Sequence, residues 1–216
     1  MTSPEHSLVG IHTAFALGLH LRWKWPIVVF AAIGSNVPDL DGLPMLFDMQ
    51  RFEGWHRVVG HNIFAIIISS FILVWTQHHF RWIQWFGQAI GRWLPQLNSA
   101  SGSANISTDS CSAPIPWSML LLVAIGVQLI HLPCDMVVSG GNGLSHWEVY
   151  PFWPVNDQGF VYPMIPWGDV GPTIIMMLGV IGMAKWPAAT RKLALATLGT
   201  LLLYLLIRKT MLSGSS

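Results

Sequence analysis

From Trp117 to Ile130 the chain is almost continuously apolar, and the run ends in His131-Leu-Pro-Cys-Asp135. Such a segment can only be a helix buried in protein or in lipid, because no water is at hand to satisfy its backbone groups. Ile63–Trp75, Pro172–Trp186 and Leu193–Ile207 repeat the pattern, and Ile27–Ser35 is a shorter version. Charged residues make up 10% of the 216, against about 25% in a soluble domain. The sequence therefore predicts an all-α integral membrane bundle of about five or six helices with a metal site at one membrane face. The single domain covers residues 1–216, with a flexible polar loop at 94–116 and a site-side loop at 136–171. Twelve Trp and ten Phe suit the two interfacial belts. A net charge of +1 gives no reason to expect a nucleic-acid partner. Two cysteines are too few for a disulfide scaffold. Met1-Thr-Ser-Pro-Glu-His has no basic n-region, so no cleavable signal peptide is expected.

Ser3-Pro4-Glu5 reads as a helix start, and that helix is expected from about Pro4 to His20. A basic aromatic turn, Arg22 to Pro26, should follow. Folding the apolar runs back and forth brings the start of the first helix, the end of the second, the start of the third and the end of the fourth to one face. The charges agree: nine of the ten acids fall on that face, and seven of the eleven Lys and Arg fall on the other. Those seven are Arg22, Lys24, Arg81, Arg92, Lys185, Arg191 and Lys192. Positive charge in short loops stays cytoplasmic, so the site should face the periplasm of a multi-pass inner-membrane protein.

Four elements converge on the acidic face: His6; Asp39-x-Asp41; His56-Arg57-x-x-x-His61; and His131-x-x-x-Asp135. His131 and Asp135 lie one turn apart on one helix face, a common grip on a divalent ion and equally a hydrogen bond that staples helices. Ionisable groups at membrane depth are costly, which favours function. The set offers more donors than one tetrahedral zinc needs, so two or three ions are expected. Asp39 and Asp41 also suit a turn, and on an extended or turn backbone their carboxylates would point apart. Asp41 is then a ligand or a general base. His56 and His61 are some 140° apart on a helix, wide for one ion, so either His56 starts in the loop or the two serve different ions or roles. Arg57 could hold an anionic substrate, pair with an acid or anchor at the interface. His12 reads as a packed histidine. His146 and Glu148 fall on the same face. No nucleophile elbow, phosphate loop or His-Glu-x-x-His competes.

At these residues the chain resembles the YdjM-like family of membrane-bound metal-dependent hydrolases. The matching pieces are His6, Pro38-Asp39-Leu40-Asp41, His56-Arg57-Val-Val-Gly60-His61-Asn62, and His131–Asp135 followed by Gly143 and Tyr150-Pro-Phe152-Trp-Pro154. Gly60 and Asn62 stand where the family has Thr and Ser. The resemblance implies a hydrolase that uses metal-activated water. More remotely, the ligand order is similar to that of zinc-dependent phospholipases C and related nucleases. That likeness implies phosphoester chemistry, on a phospholipid or another phosphoester, with His146 and Glu148 completing the zinc cluster. The rival reading is a non-enzymatic membrane protein that binds or senses divalent metal.

Overall fold

The computed structural model describes residues 1–48, 55–86, 114–139 and 147–213. Among them are six α-helices of at least 14 residues: α1 Ser3–Ala16, α2 Leu19–Gly34, α3 Ile63–Phe80, α4 Trp117–Met136, α5 Gly171–Lys185 and α6 Thr190–Ser213. A 3-10 helix, Pro38–Leu46, follows α2. The only other paired segments among the described residues are short: β1 Val138–Ser139 lies parallel to β2 Ile165–Pro166, and a bridge joins Val149 to Phe160. Three helical stretches, Ile63–Phe80, Trp117–Met136 and Pro187–Met211, are long and apolar enough to cross a bilayer, and Gly171–Lys185 is a shorter apolar helix. The fold is an all-α membrane bundle. The polar loop expected at 94–116 lies, up to residue 113, outside the described residues.

The first helix stops four residues earlier than the sequence predicts. Gly18, at φ 71°, turns the chain after the C-cap Leu17, as glycine does just past a helix end. The expected basic turn is folded into α2 and survives as a break at Lys24, φ 58°. Pro26 lacks the N–H that would carry the first segment smoothly into the second. At 14 and 16 residues, α1 and α2 are each about 21–24 Å long, shorter than a bilayer core.

Helix α1 is the hub, packed against α2, α4, α5 and α6. On one side Ile27, Phe30, Ala31, Val74, Val123 and Val127 form the core of α2, α3 and α4. On the other, Val9, Met176, Leu201 and Leu205 join α1 to α5 and α6. Between α3 and α4, the buried Gln128 accepts from the Ser69 hydroxyl at 2.7 Å and donates to Ser70 Oγ at 2.9 Å. Its amide is thus satisfied at both ends, as an apolar surround demands.

Asp169 ties the start of α5 to the end of α6. Its Oδ1 accepts from Tyr204 Oη at 2.7 Å and from the Gly171 N–H at 2.8 Å, and its Oδ2 accepts from Arg208 Nη2 at 3.0 Å. Burial pushes this carboxyl up, but those three donors outweigh it and hold the group below its ordinary value. A depressed carboxyl contributes stability above its unfolded value and loses it as pH falls. Asp169→Asn is therefore expected to lower the melting temperature at pH 7 by a few degrees. Arg208 is one-third exposed, which sets the loss near the low end of the roughly 1.5–3 kcal/mol of a charged hydrogen bond. The gap between variant and wild type should close as the pH falls below about 4. Melting curves in detergent at both pH values check this, and equal curves at pH 7 would refute it.

Candidate metal centre

The start of α1, the end of α2, the start of α3 and the end of α4 meet, and the convergence centres on Asp135, which is 1% exposed. Its Oδ1 lies 3.0 Å from His6 Nε2 and 2.6 Å from the Met1 amino group. Its Oδ2 lies 3.1 Å from His61 Nε2, 3.5 Å from His131 Nε2 and 3.6 Å from Arg57 Nε. Asp39 completes the ring: Oδ2 accepts from Ser3 Oγ at 3.1 Å, and Oδ1 sits 3.4 Å from His131 Nε2 and 3.7 Å from His61 Nε2. His6 stacks on His131 with ring centroids 3.6 Å apart. His6, Asp39, His131 and Asp135 offer four ligand atoms all within 4.8 Å of one another, and His61 borders them.

The outer contacts of the histidines decide what these atoms are. His131 Nδ1 lies 2.7 Å from the Ser35 carbonyl, which can only accept, so Nδ1 carries the proton. His61 Nδ1 lies 2.9 Å from Asp41 Oδ2 and donates in the same way. In the neutral rings both Nε2 atoms then present lone pairs, and these face each other at 3.0 Å beside two carboxylates. Lone pairs so placed repel unless a proton or a metal cation sits between them. Two ligands of one tetrahedral zinc at about 2.0–2.1 Å lie about 3.3 Å apart, close to this spacing. A carboxylate or carbonyl behind a metal-binding imidazole is the usual support. Burial pushes the His61 imidazole down, but Asp135 and Asp41 outweigh it and raise it. The pocket favours positive charge, and its donor set fits a divalent ion.

Asp41 stands behind the centre, not in it. Asp39 and Asp41 lie on the 3-10 helix, a turn backbone as the sequence allowed, and they address opposite nitrogens of His61. Both Asp41 oxygens are committed: Oδ1 lies 3.1 Å from His56 Nδ1, and Oδ2 accepts from the N–H groups of Arg57 at 3.1 Å and Gly60 at 2.9 Å as well as from His61. Burial pushes this carboxyl up, yet the His56 and His61 hydrogen bonds and the Gly60 N–H bring it down to about 2. A carboxylate so engaged orients His61 and is a poor acceptor for a proton from water. His56 is placed by Asp41 too, outside the four-donor group.

Arg57 is 3% exposed and has φ 65°. Its Nη1 donates to the carbonyls of Asp135 at 3.3 Å and Trp147 at 2.8 Å, and its guanidinium lies 5.3 Å from the centre of the Trp147 ring. It is neither a surface ion pair nor an interfacial anchor. Glu148, by contrast, is held elsewhere: it is exposed, and its carboxylate accepts from Tyr150 Oη at 3.1 Å. The structure does not bring it to the centre. His146 lies outside the described residues. His12 is fully buried, with Nδ1 donating to the Leu8 carbonyl at 2.8 Å.

The two departures from the family pattern have local reasons. A Cβ at Gly60 would overlap the Pro38 carbonyl and come 3.1 Å from the Asp41 carboxylate. Asn62 caps α3, its Oδ1 accepting from the Ala65 N–H at 2.8 Å, which a serine hydroxyl would do as well. Sequence reasoning missed Ser35 and Trp147. Ser35 gives its carbonyl to His131 and donates its hydroxyl to the His6 carbonyl at 2.7 Å, and Trp147 gives Arg57 its carbonyl and its ring face.

No curated protein and no solved structure matches the chain. The family model described as YdjM inner membrane protein matches residues 1–213, so nearly the whole bundle is covered. The chain belongs to the YdjM inner membrane protein family.

Proposed function

We propose that this chain is a membrane-bound, zinc-dependent hydrolase that cleaves a phosphoester at the centre around Asp135. The observation that carries the metal is the pair of Nε2 atoms of His61 and His131, 3.0 Å apart with both Nδ1 protons committed outward. His6, His131 and Asp135 would hold one ion with a position open for water, and Asp39 and His61 stand beside it. A divalent ion there supplies Lewis acidity toward a phosphoryl oxygen and makes water more acidic. Asp39 and His56, each 18% exposed, are the edges a substrate reaches, whereas the Asp135 side chain is 2% exposed. Asp39 is thus the carboxylate placed to take the proton of the attacking water. The water oxygen bonds to phosphorus, the ester P–O bond breaks, and Asp39 passes the proton it took to the departing alkoxide oxygen. Arg57 holds Asp135 and the Trp147 segment in place.

The test is the metal content of purified protein, followed by phosphomonoesters, phosphodiesters and carboxyl esters with and without chelator. Chelator-sensitive turnover of a phosphoester is expected. Metal-replete protein inert toward the whole panel would leave a metal-binding or metal-sensing protein and end the enzymatic reading.

The same reading turns the centre toward the periplasm. Arg22, Lys24, Arg81, Lys185, Arg191 and Lys192 lie at the helix ends remote from it; Arg92 is outside the described residues. Ala188, exposed in the turn between α5 and α6, shares that basic end. A cysteine replacing Ala188 in a Cys-free background is expected to resist an impermeant thiol reagent in intact cells. Ready labelling would invert the topology.

A further inference from the structure

The 3-10 helix that delivers Asp39 and Asp41 has a second face. With three residues per turn, positions three apart eclipse one another and neighbours are separated by about 120°. Leu40, Leu43 and Leu46 therefore form a single stripe, with Asp39 and Asp41 flanking it on the inward side. All three leucines point away from the protein, at 57%, 54% and 72% exposure, and Phe47 follows at 91%. Beside the stripe, Leu43, Pro44, Phe47, Asp48 and Trp55 line a cavity of about 270 Å³. It borders the residues that stand behind the centre: Leu43 comes two residues after Asp41, and Trp55 immediately precedes His56, the ring bonded to Asp41.

We propose that this cavity and leucine stripe seat an acyl chain of a phosphate-bearing membrane lipid, whose headgroup lies at the centre around Asp135. The inference rests on the phosphoester reading of that centre and gives it a substrate class. Two features select the occupant. A ligand that fills both places must be anionic at one end, to meet a cationic metal site, and apolar at the other. Apolar surface also borders the His56–His61 turn: α3 begins two residues after His61 and exposes Phe64, Ile67, Ile68 and Phe71. A cavity of this size is smaller than most ligand pockets, suited to one chain and not to a whole lipid. The substrate then enters sideways from the bilayer.

Two measurements on the full-length, metal-replete protein test this. In the first, turnover is compared across alkyl phosphates from butyl to dodecyl. The kcat/KM is expected to rise roughly tenfold or more along the series, because each buried methylene adds to binding. In Phe47→Ser and Leu43→Ser, checked for retained metal, the dodecyl-to-butyl ratio should fall toward one. In the second, a dodecyl phosphate carrying a diazirine at its chain end is photolysed with the protein in nanodiscs, and the adducts are mapped by mass spectrometry. Adducts at Leu43, Phe47 or Trp55, suppressed by excess dodecyl phosphate but not by dodecanol, are expected. Butyl phosphate cleaved with no chain-length dependence and no such adducts would remove the acyl seat and keep the hydrolase. Adducts without turnover of any phosphate would keep the seat and remove the hydrolase. If Phe47→Ser instead changes the oligomeric state and leaves labelling unaltered, the stripe is a contact between copies of the chain and the proposal falls.

Discussion

Asp135→Asn is expected to leave the purified protein with less than about a tenth of the divalent ion that the wild type retains. Replacing a mere supporting contact of a metal site already costs 10–100-fold in affinity, and Asp135 is the carboxylate on which the ligand set converges. The amide is neutral, and its NH2 would donate into the imidazole lone pairs that the carboxylate and a cation otherwise organise. Glu148→Gln is the matched control: an acid of the same loop region, exposed and bonded to Tyr150 Oη, that should keep its full complement. Metal analysis of the two proteins side by side separates a centre built on geometry from one built on ligand order. Full metal content in Asp135→Asn would dismantle the metal centre. Loss in both variants would return Glu148 to the ligand set.

Arg57→Ala is expected to be the most destabilising single change near the centre, and most severely in protein stripped by chelator. The guanidinium stands 3.6 Å from Asp135 Oδ2 and holds two carbonyls. Removing one partner from a buried charge pair costs up to about 3–5 kcal/mol when the other charge is left unbalanced; the Met1 amino group, 2.6 Å from Asp135 Oδ1, offsets part of that loss here. A bound divalent ion would balance Asp135 in its place, so the loss should shrink in loaded protein. Arg57→Lys is not conservative here, since one ammonium cannot reproduce a planar fork that serves two carbonyls. Unfolding in detergent, with and without chelator, reads both effects. A loss that is the same in the two states would disconnect Arg57 from the metal. An unfolding curve that does not move at all would reduce it to a bystander.

The gathering of four helix ends was legible because apolar run lengths set where the chain must turn, and His6, Asp39, His61, His131 and Asp135 all sit at those turns. Which of the acids would face the centre was not. Asp39 and Asp41 look alike in sequence, and the difference between them is that Asp41 is used up by N–H groups of Arg57 and Gly60. Those N–H groups point inward because Arg57 adopts φ 65°, a conformation that residue type does not announce in arginine. The spacing of His56 and His61, too wide for one ion on a helix, left His56 in the loop or the two in different roles. The chain between them is a turn, His61 borders the centre and His56 does not, and both rings reach the one carboxylate of Asp41. Glu148 was drawn in by the order of ligands in a remote superfamily, which carries no information about a side chain that leans on Tyr150 instead.

The donors that meet at Asp135 come from both ends of a long stretch of chain: His6 and Asp135 are 129 positions apart. An ion held between them is a cross-link, and it closes a loop far longer than most disulfides do. Loop-closure entropy grows only slowly with length, so the expense of joining such distant points falls mainly on the first contact and little on the span. Chelation there would fasten the hub helix to the end of the fourth. The ion site cannot exist until that fourth helix has been made. Metal capture during synthesis would therefore mark the moment when the first four helices have found one another, and a chain cut short before His131 would have nothing to hold it.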